Sequence, residues 1–286
     1  MNVDLLRAAR TFLFVPGNRP DRFAKAEAAG ADVVVIDLED AVAPDDKDAA
    51  RSDVAQWLSS GHAAVVRING ADTQWFDGDI AMLVAVGIND AAGAAAAGAG
   101  VGAGAGAMLA KAEASEIVSR VAAASNAPVI PLIETAVGVL NAPGIAATPG
   151  VARIAFGAID FAAELGVDPD DREALLHARS TLVLASAAAR VASPVDGVTT
   201  ALRDAEKLTD DVGYAARIGL RGKLCIHPSQ VAAVHDRLAP TDDQLAWARR
   251  IVDATRADGS AVAVDGHMVD PPVVARAQQI LAAVRS

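Results

Sequence analysis

Val33-Val34-Val35-Ile36-Asp37-Leu38-Glu39-Asp40 decides how this chain is read: an apolar run that stops abruptly in a cluster of acids. Working outward, three more runs end in the same manner. Ala63–Val66 leads into Arg67-Ile68-Asn69, Val129–Ile133 into Glu134-Thr135, and Ile154–Phe156 into Gly157-Ala158-Ile159-Asp160. Carboxylates and an arginine at the carboxyl ends of successive strands describe the mouth of a barrel, where a (β/α)8 enzyme keeps its active site.

The remaining periodicity agrees. It predicts strands at Thr11–Val15, Asp32–Asp37, Ala63–Ile68, Ala107–Lys111, Val129–Glu134, Arg153–Phe156, Pro194–Val198 and Gly222–Ile226. Helical patterns fall between them, at Asp21–Ala29, Asp45–Ser59, Gln74–Val86, Glu113–Ala124, a stretch ending at Ala147, Arg172–Val191 and Leu202–Ile218. This alternation favours an α/β TIM barrel over residues 1–235. The rival, a doubly wound open sheet, needs a topological switch point for which no fingerprint is visible. Residues 236–286 form a C-terminal helical extension that a barrel does not need for closure. It contains a helix over Thr241–Ala257, a turn at Asp258-Gly259-Ser260, the segment Val262–Asp270 and a last helix from Pro271. Ala91–Ala107, with glycines at 98, 100, 102, 104 and 106, reads as a flexible insertion, because glycine disfavours a stable helix and no phosphate-loop pattern is present.

At 286 residues and 52% hydrophobic, the chain can bury a large core. A net charge of −11 argues against general affinity for nucleic acid or anionic membranes. An anionic substrate therefore needs a local basic patch or a metal. Cys225 is the only cysteine, set among apolar neighbours, and reads as packing rather than as a nucleophile. No secretion signal is apparent, and a soluble, cytoplasmic protein is expected.

Glu134 and Asp160 end neighbouring strands, and two hard oxygen ligands with the other positions left to water and substrate suit Mg2+. The alternative is a pair of solvated loop or helix-capping residues. Arg67 has the planar fork that grips a carboxylate, or it forms an internal ion pair with Asp37 or Glu39; the two roles are compatible. Asp37 and Glu39 are assigned to the surroundings of the metal, holding its waters. Arg19, Arg22 and Lys25 gather cations in an acidic chain and could receive phosphates, or serve as helix-surface charge. His227 directly follows the last strand, as a ligand contact or a structural histidine.

The runs Phe12-Leu13-Phe14-Val15-Pro16-Gly17-Asn18, Val35-Ile36-Asp37-Leu38-Glu39-Asp40-Ala41-Val42, Val66-Arg67-Ile68-Asn69, Leu132-Ile133-Glu134-Thr135 and Cys225-Ile226-His227-Pro228-Ser229-Gln230 resemble the citrate lyase beta subunit-like group of the HpcH/HpaI aldolase superfamily. The resemblance implies a Mg2+-dependent (β/α)8 lyase, commonly a homotrimer, that cleaves or forms C–C bonds in citryl-, citramalyl- or malyl-CoA. It implies Glu134 and Asp160 as metal ligands and Arg67 as the oxo-acid clamp. Phe14, Arg22, Ile226 and His227 would line the pocket for the acyl-CoA. The tail Gly266-His267-Met268-Val269-Asp270 is similar to that of stand-alone lyases, in which the aspartate is an acid/base supplied to a neighbouring subunit. Read alone, Asp270 before Pro271-Pro272 is equally a helix N-cap. Two departures stand out: Leu109-Ala110-Lys111-Ala112-Glu113 replaces the usual Leu-Pro-Lys-x-Glu, and Phe14 replaces a tyrosine of some relatives. The other expectations are an aldolase on free hydroxy-oxo acids without CoA, and a non-catalytic subunit of a citrate lyase-like complex.

Overall fold

The computed structural model describes residues 1–97, 104–258, 262–264 and 267–284. It divides into two compact units, Met1–Arg237 and Leu238–Ser286.

In the first unit, parallel strands β1 (Thr11–Pro16), β2 (Val33–Asp37), β3 (Ala63–Ile68), β4 (Gly104–Leu109), β5 (Val129–Ile133), β6 (Arg153–Phe156), β7 (Ala192–Asp196) and β8 (Gly222–Cys225) pair in chain order. β8 also pairs with β1, Phe12 opposite Leu224, so the sheet is a closed barrel and the open-sheet alternative is excluded. Each strand buries one face inward and the other under helices. The interior is filled by Phe12, Val35, Val65, Met108, Ile130, Leu132, Ala155, Val195 and Leu224, among others. Each of the larger of these side chains, fully buried, contributes ~1.5–3 kcal/mol relative to exposure.

The helices are α1 (Val3–Ala8), α2 (Phe23–Glu27), α3 (Lys47–Ser59), α4 (Phe76–Ala97), α5 (Ser115–Ser125), α6 (Ala136–Ala146), α7 (Ala158–Leu165), α8 (Arg172–Ala189), α9 (Ala205–Arg217) and α10 (Gln230–Leu238). Four of them depart from the expectation, one being α10, since no helical pattern is read between Gly222–Ile226 and Thr241. The Ala/Gly tract is not one insertion: α4 continues to Ala97 and β4 begins at Gly104, leaving 98–103 outside the described residues. The reason is local. Residues 91–97 hold one glycine among alanines, the best helix formers, and glycine becomes dense only from 98 onward. In β4 the glycines are spacers; a Cβ on Gly106 would stand 3.0 Å from Val65 Cγ2. α7 also rises directly from β6, where only a loop before the next helix was expected, and α1 precedes the first strand.

The foot of the barrel holds a buried cation. Arg153, the first residue of β6, donates to Leu6 O (3.2 Å), Ala9 O (2.6 Å) and Ser193 O (2.5 Å), and lies over the Phe12 ring. Burial pushes its pKa down to about 9, and its Nε has no partner among the described residues.

In the second unit, α11 (Asp242–Asp258) and α12 (Pro271–Ala282) flank an antiparallel pair, β9 (Val262–Val264) and β10 (His267–Val269). Ala248, Ile251, Val269 and Ala277 form its core. Gly259, Ser260, Asp265 and Gly266 lie outside the described residues. No described helix is long and apolar enough to cross a membrane.

Candidate active site

Strand register assembles one half of the mouth. Pro16 is opposite Asp37, Asp37 opposite Arg67 and Arg67 opposite Met108, so the ends of β1 to β4 are level. Arg67 meets Asp37 side-on, with Nε to Oδ1 and Nη2 to Oδ2 both at 2.6 Å. Its Nη1 reaches Glu39 at 2.9 Å and Asp40 at 3.4 Å, and the guanidinium lies 5.1 Å from the Phe14 ring centre. Both the internal ion pair and the placement at the mouth are therefore present. Burial works against the Arg67 charge, but Asp37, Glu39 and Asp40 outweigh it and raise its pKa. Asp37 also accepts the backbone N–H of Glu39 (2.8 Å) and of Ala41 (3.0 Å), which folds the acidic loop back over the strand end.

That loop is held from beneath by residues that sequence reasoning missed. Lys47 is buried, and its ammonium donates at 2.7 Å to each of Leu38 O, Glu39 O and Asn69 Oδ1. Asp79 accepts Asn69 Nδ2 at 2.6 Å, which obliges Asn69 to turn its oxygen to Lys47. Burial lowers the Lys47 pKa, opposed by Asp37, Glu39 and Asp79. In the sequence Asp45-Asp46-Lys47-Asp48 this lysine looks like surface charge, and no spacing signals otherwise.

The other half of the mouth is built around Glu134. Gly157 N donates to Ile133 O at 2.9 Å, bringing the residue after β5 beside the residue after β6. Glu134 is only 2% exposed; its Oε1 accepts Lys111 N at 2.7 Å. Burial pushes its carboxyl up to about 8; Lys111 N–H and Arg67 oppose the rise, while Glu39 and Asp160 add to it. Asp160 sits exposed in the first turn of α7, close enough to repel Glu134. Lys111 Nζ bonds Glu39 Oε1 at 3.0 Å, joining the two halves.

A divalent cation fits this arrangement. Asp37, Glu39, Asp40, Asp79, Glu134 and Asp160 face Lys47, Arg51, Arg67 and Lys111, six carboxylates against four cations, which leaves an excess of two negative charges once Glu134 is ionised. Glu134 Oε2 lies in space that a side chain at Gly157 would fill, since a Cβ there would stand 2.5 Å from it. Among the described residues no third His, Cys, Asp or Glu joins the pair, so a metal would complete its shell with water and substrate.

At the rim, Phe14 is half-buried against Arg67, while Arg22 and His227 are exposed and Ile226 is 38% exposed. The basic loop is weaker than its composition suggests, because Asp21 takes the Arg19 fork through two bonds of 2.7 and 2.8 Å. His227 Nδ1 lies 2.7 Å from Ser229 Oγ and 3.2 Å from Ser229 N, so the ring is held by the turn that follows it. Buried Gln230 accepts Ile226 N and donates to Thr199 O, tying the loop after β8 to the loop after β7. Cys225 is fully buried and its thiol is pushed up to about 12, in keeping with a packing role. In the second unit, Asp270 N-caps α12 through Val273 N at 3.1 Å.

Residues 10–228 match the family model described as HpcH/HpaI aldolase/citrate lyase. A citrate lyase subunit beta-like protein of Mycobacterium tuberculosis is 38% identical, covering 98% of this chain and 97% of that protein. A (3S)-malyl-CoA thioesterase of Cereibacter sphaeroides is 31% identical, covering 96% and 93% respectively. Among solved structures, CitE of Mycobacterium tuberculosis in complex with magnesium, acetoacetate and coenzyme A superposes with a TM-score of 0.78, at 36% identity, over 97% of this chain and 98% of that one.

Proposed function

We propose, because the chain belongs to the HpcH/HpaI aldolase/citrate lyase family, that it is a Mg2+-dependent lyase cleaving a 3-hydroxyacyl-CoA thioester such as malyl-, citramalyl- or citryl-CoA. The observation that carries this reading is Glu134: a buried carboxylate with a raised pKa, a second carboxylate beside it, and a cradle over Gly157. The magnesium, acetoacetate and coenzyme A bound by the CitE relative support the same cofactor and substrate class.

Glu134 and Asp160 would hold Mg2+. When bound, the ion supplies Lewis acidity, lowering the pKa of the substrate hydroxyl and anchoring its carboxylate. Arg67 is oriented by Asp37 and Glu39 and offers its outer N–H groups to the oxo-acid carboxylate. Glu39 would also hold waters of the site, whereas Asp37, whose acceptor positions are taken by Arg67 and by the N–H groups of Glu39 and Ala41, acts through Arg67. Phe14 packs beside that carboxylate, and Arg22, Ile226 and His227 line the path of the CoA chain. In cleavage the C2–C3 bond breaks and the hydroxyl loses its proton to become the carbonyl of the oxo acid. The bond's electrons leave with acetyl-CoA as its enolate. Asp270 of a neighbouring subunit in a homotrimer would take up the hydroxyl's proton and return it to the enolate at carbon, so that the carboxylate ends the cycle as it began.

The test is turnover of malyl-, citramalyl- and citryl-CoA by the purified protein with Mg2+, following oxo acid and free thiol separately. Oxo acid released without free thiol is expected; thiol release matching turnover would identify a thioesterase. Full activity in EDTA, with no metal in the protein, would overturn the reading.

A further inference from the structure

Three described residues other than glycine have positive φ: Lys111 (47°), Asn126 (52°) and Arg190 (57°). Asn126 and Arg190 end α5 and α8, where a left-handed residue is ordinary. Lys111 ends no helix. It stands two residues beyond β4, at the mouth of the barrel, and a long side chain is disfavoured in that conformation.

The unfavourable turn has a visible product. It aims Lys111 N–H at Glu134 Oε1, and nothing else among the described residues donates to Glu134. It also sends the side chain the other way, to Glu39 Oε1 at 3.0 Å. The turn is stitched on both sides: Ala110 N donates to Ile68 O (3.3 Å) and Ala112 N to Leu132 O (3.1 Å). Gly138 permits that approach, because a Cβ there would stand 2.7 Å from Ala112 O. One residue thus grips the carboxylates of both halves of the mouth, one by its backbone and one by its ammonium.

We propose that Lys111 is the positioning residue of the Glu134 carboxylate: its left-handed backbone commits Oε1 to an N–H, so that Oε2, over Gly157, is the single oxygen left for a cation. Its ammonium meanwhile holds Glu39 on the Arg67 side. The cation rests on the function proposed above; the hydrogen bond does not.

Two variants separate backbone from ammonium. Lys111→Gly and Lys111→Ala both delete the ammonium, but only glycine adopts positive φ without strain. Calorimetric titration of the full-length protein with Mn2+, without substrate, should leave the glycine variant within about threefold of wild type and weaken the alanine variant by roughly 5–30-fold. Equal affinities of the two variants would overturn the backbone role. A second reading needs no metal. The Lys111 amide should exchange with solvent at least about tenfold more slowly in wild type than in Glu134→Ala, because that substitution removes its acceptor. Equal exchange rates would overturn the proposal. A wild type that binds no Mn2+ would sink the lyase reading instead, and the proposal would then stand or fall on amide exchange alone.

Discussion

Replacing Gly157 by alanine should disable the site through a single methyl group. Its backbone, at φ −91° and ψ 77°, lies outside the left-handed region, so any residue can adopt it and the penalty is steric. The new carbon would stand 2.5 Å from Glu134 Oε2 and press on Glu134 Cβ as well. Non-bonded carbon and oxygen atoms rest near ~3.5 Å, so Glu134 must shift by about 1 Å. Overpacking of this kind is expected to lower stability by about 1–3 kcal/mol. A displacement of ~1 Å is expected to lower turnover by about 10²-fold, and misplacing a ligand's support weakens metal binding by about 10–100-fold. Calorimetric Mg2+ titration and thermal melts measure these effects. Gly166→Ala is the control: Gly166 has φ 68° and nothing within 4 Å of an added Cβ, so it should cost stability through backbone strain and leave Mg2+ affinity untouched. A Gly157→Ala protein with wild-type Mg2+ affinity would refute the assignment of Glu134 to the metal.

Arg67→Lys keeps the charge but cannot form two parallel bonds to Asp37, which is 2% exposed. It should lower turnover strongly and cost about 1–3 kcal/mol in stability, and near-normal turnover with only a lowered Tm would confine Arg67 to its ion pair. The Glu134 carboxyl is pushed up from 4.5 to about 8. A raised folded-state pKa favours the protonated acid, so this group's contribution to the metal-free fold should fall as pH rises between those values. Mg2+ affinity should climb by up to about tenfold per pH unit until about pH 8, and an affinity flat between pH 6 and 8 would contradict it. Asp270→Asn can still cap α12, so its melt should stay close to wild type, while turnover falls by about 10²–10⁴-fold. Mixing it with Glu134→Ala should restore activity through hybrid oligomers, and wild-type turnover of the single variant would exclude the acid/base role.

The strands were legible because their apolar runs are unbroken and their ends chemically marked; Ala63–Ile68 and Arg153–Phe156 have the bounds that periodicity suggests. β4 begins three residues earlier than its pattern indicates, because Gly104 and Gly106 carry no hydrophobic signal, although a side chain at Gly106 would crowd Val65 of β3. α7 was hidden for the opposite reason: Gly157-Ala158-Ile159-Asp160 reads as a loop ending in an acid, whereas Asp160 sits in the first turn of a helix. The position of Arg67, Glu134 and Asp160 at the mouth of the barrel was legible from their place after strands. What sets them was not. Lys47, Asn69 and Asp79 act through contacts between residues 8 to 31 positions apart, and no local pattern encodes a distant acceptor. The turn at Lys111 is equally silent, since nothing in Leu109-Ala110-Lys111 announces a positive φ.

Arg153 bears on the order in which this protein can be made. Its two terminal nitrogens donate to Leu6 O and Ala9 O, 147 and 144 residues earlier in the chain, and to Ser193 O, 40 residues later. During synthesis the first helix emerges long before the charge it must cover, and that charge has no third acceptor until β7 follows. Closing the foot of the barrel is thus among the most non-local events available to this chain, and such contacts slow folding. Removal of residues 1–9 should therefore lengthen the refolding phase that closes the barrel, well away from the mouth where the chemistry resides.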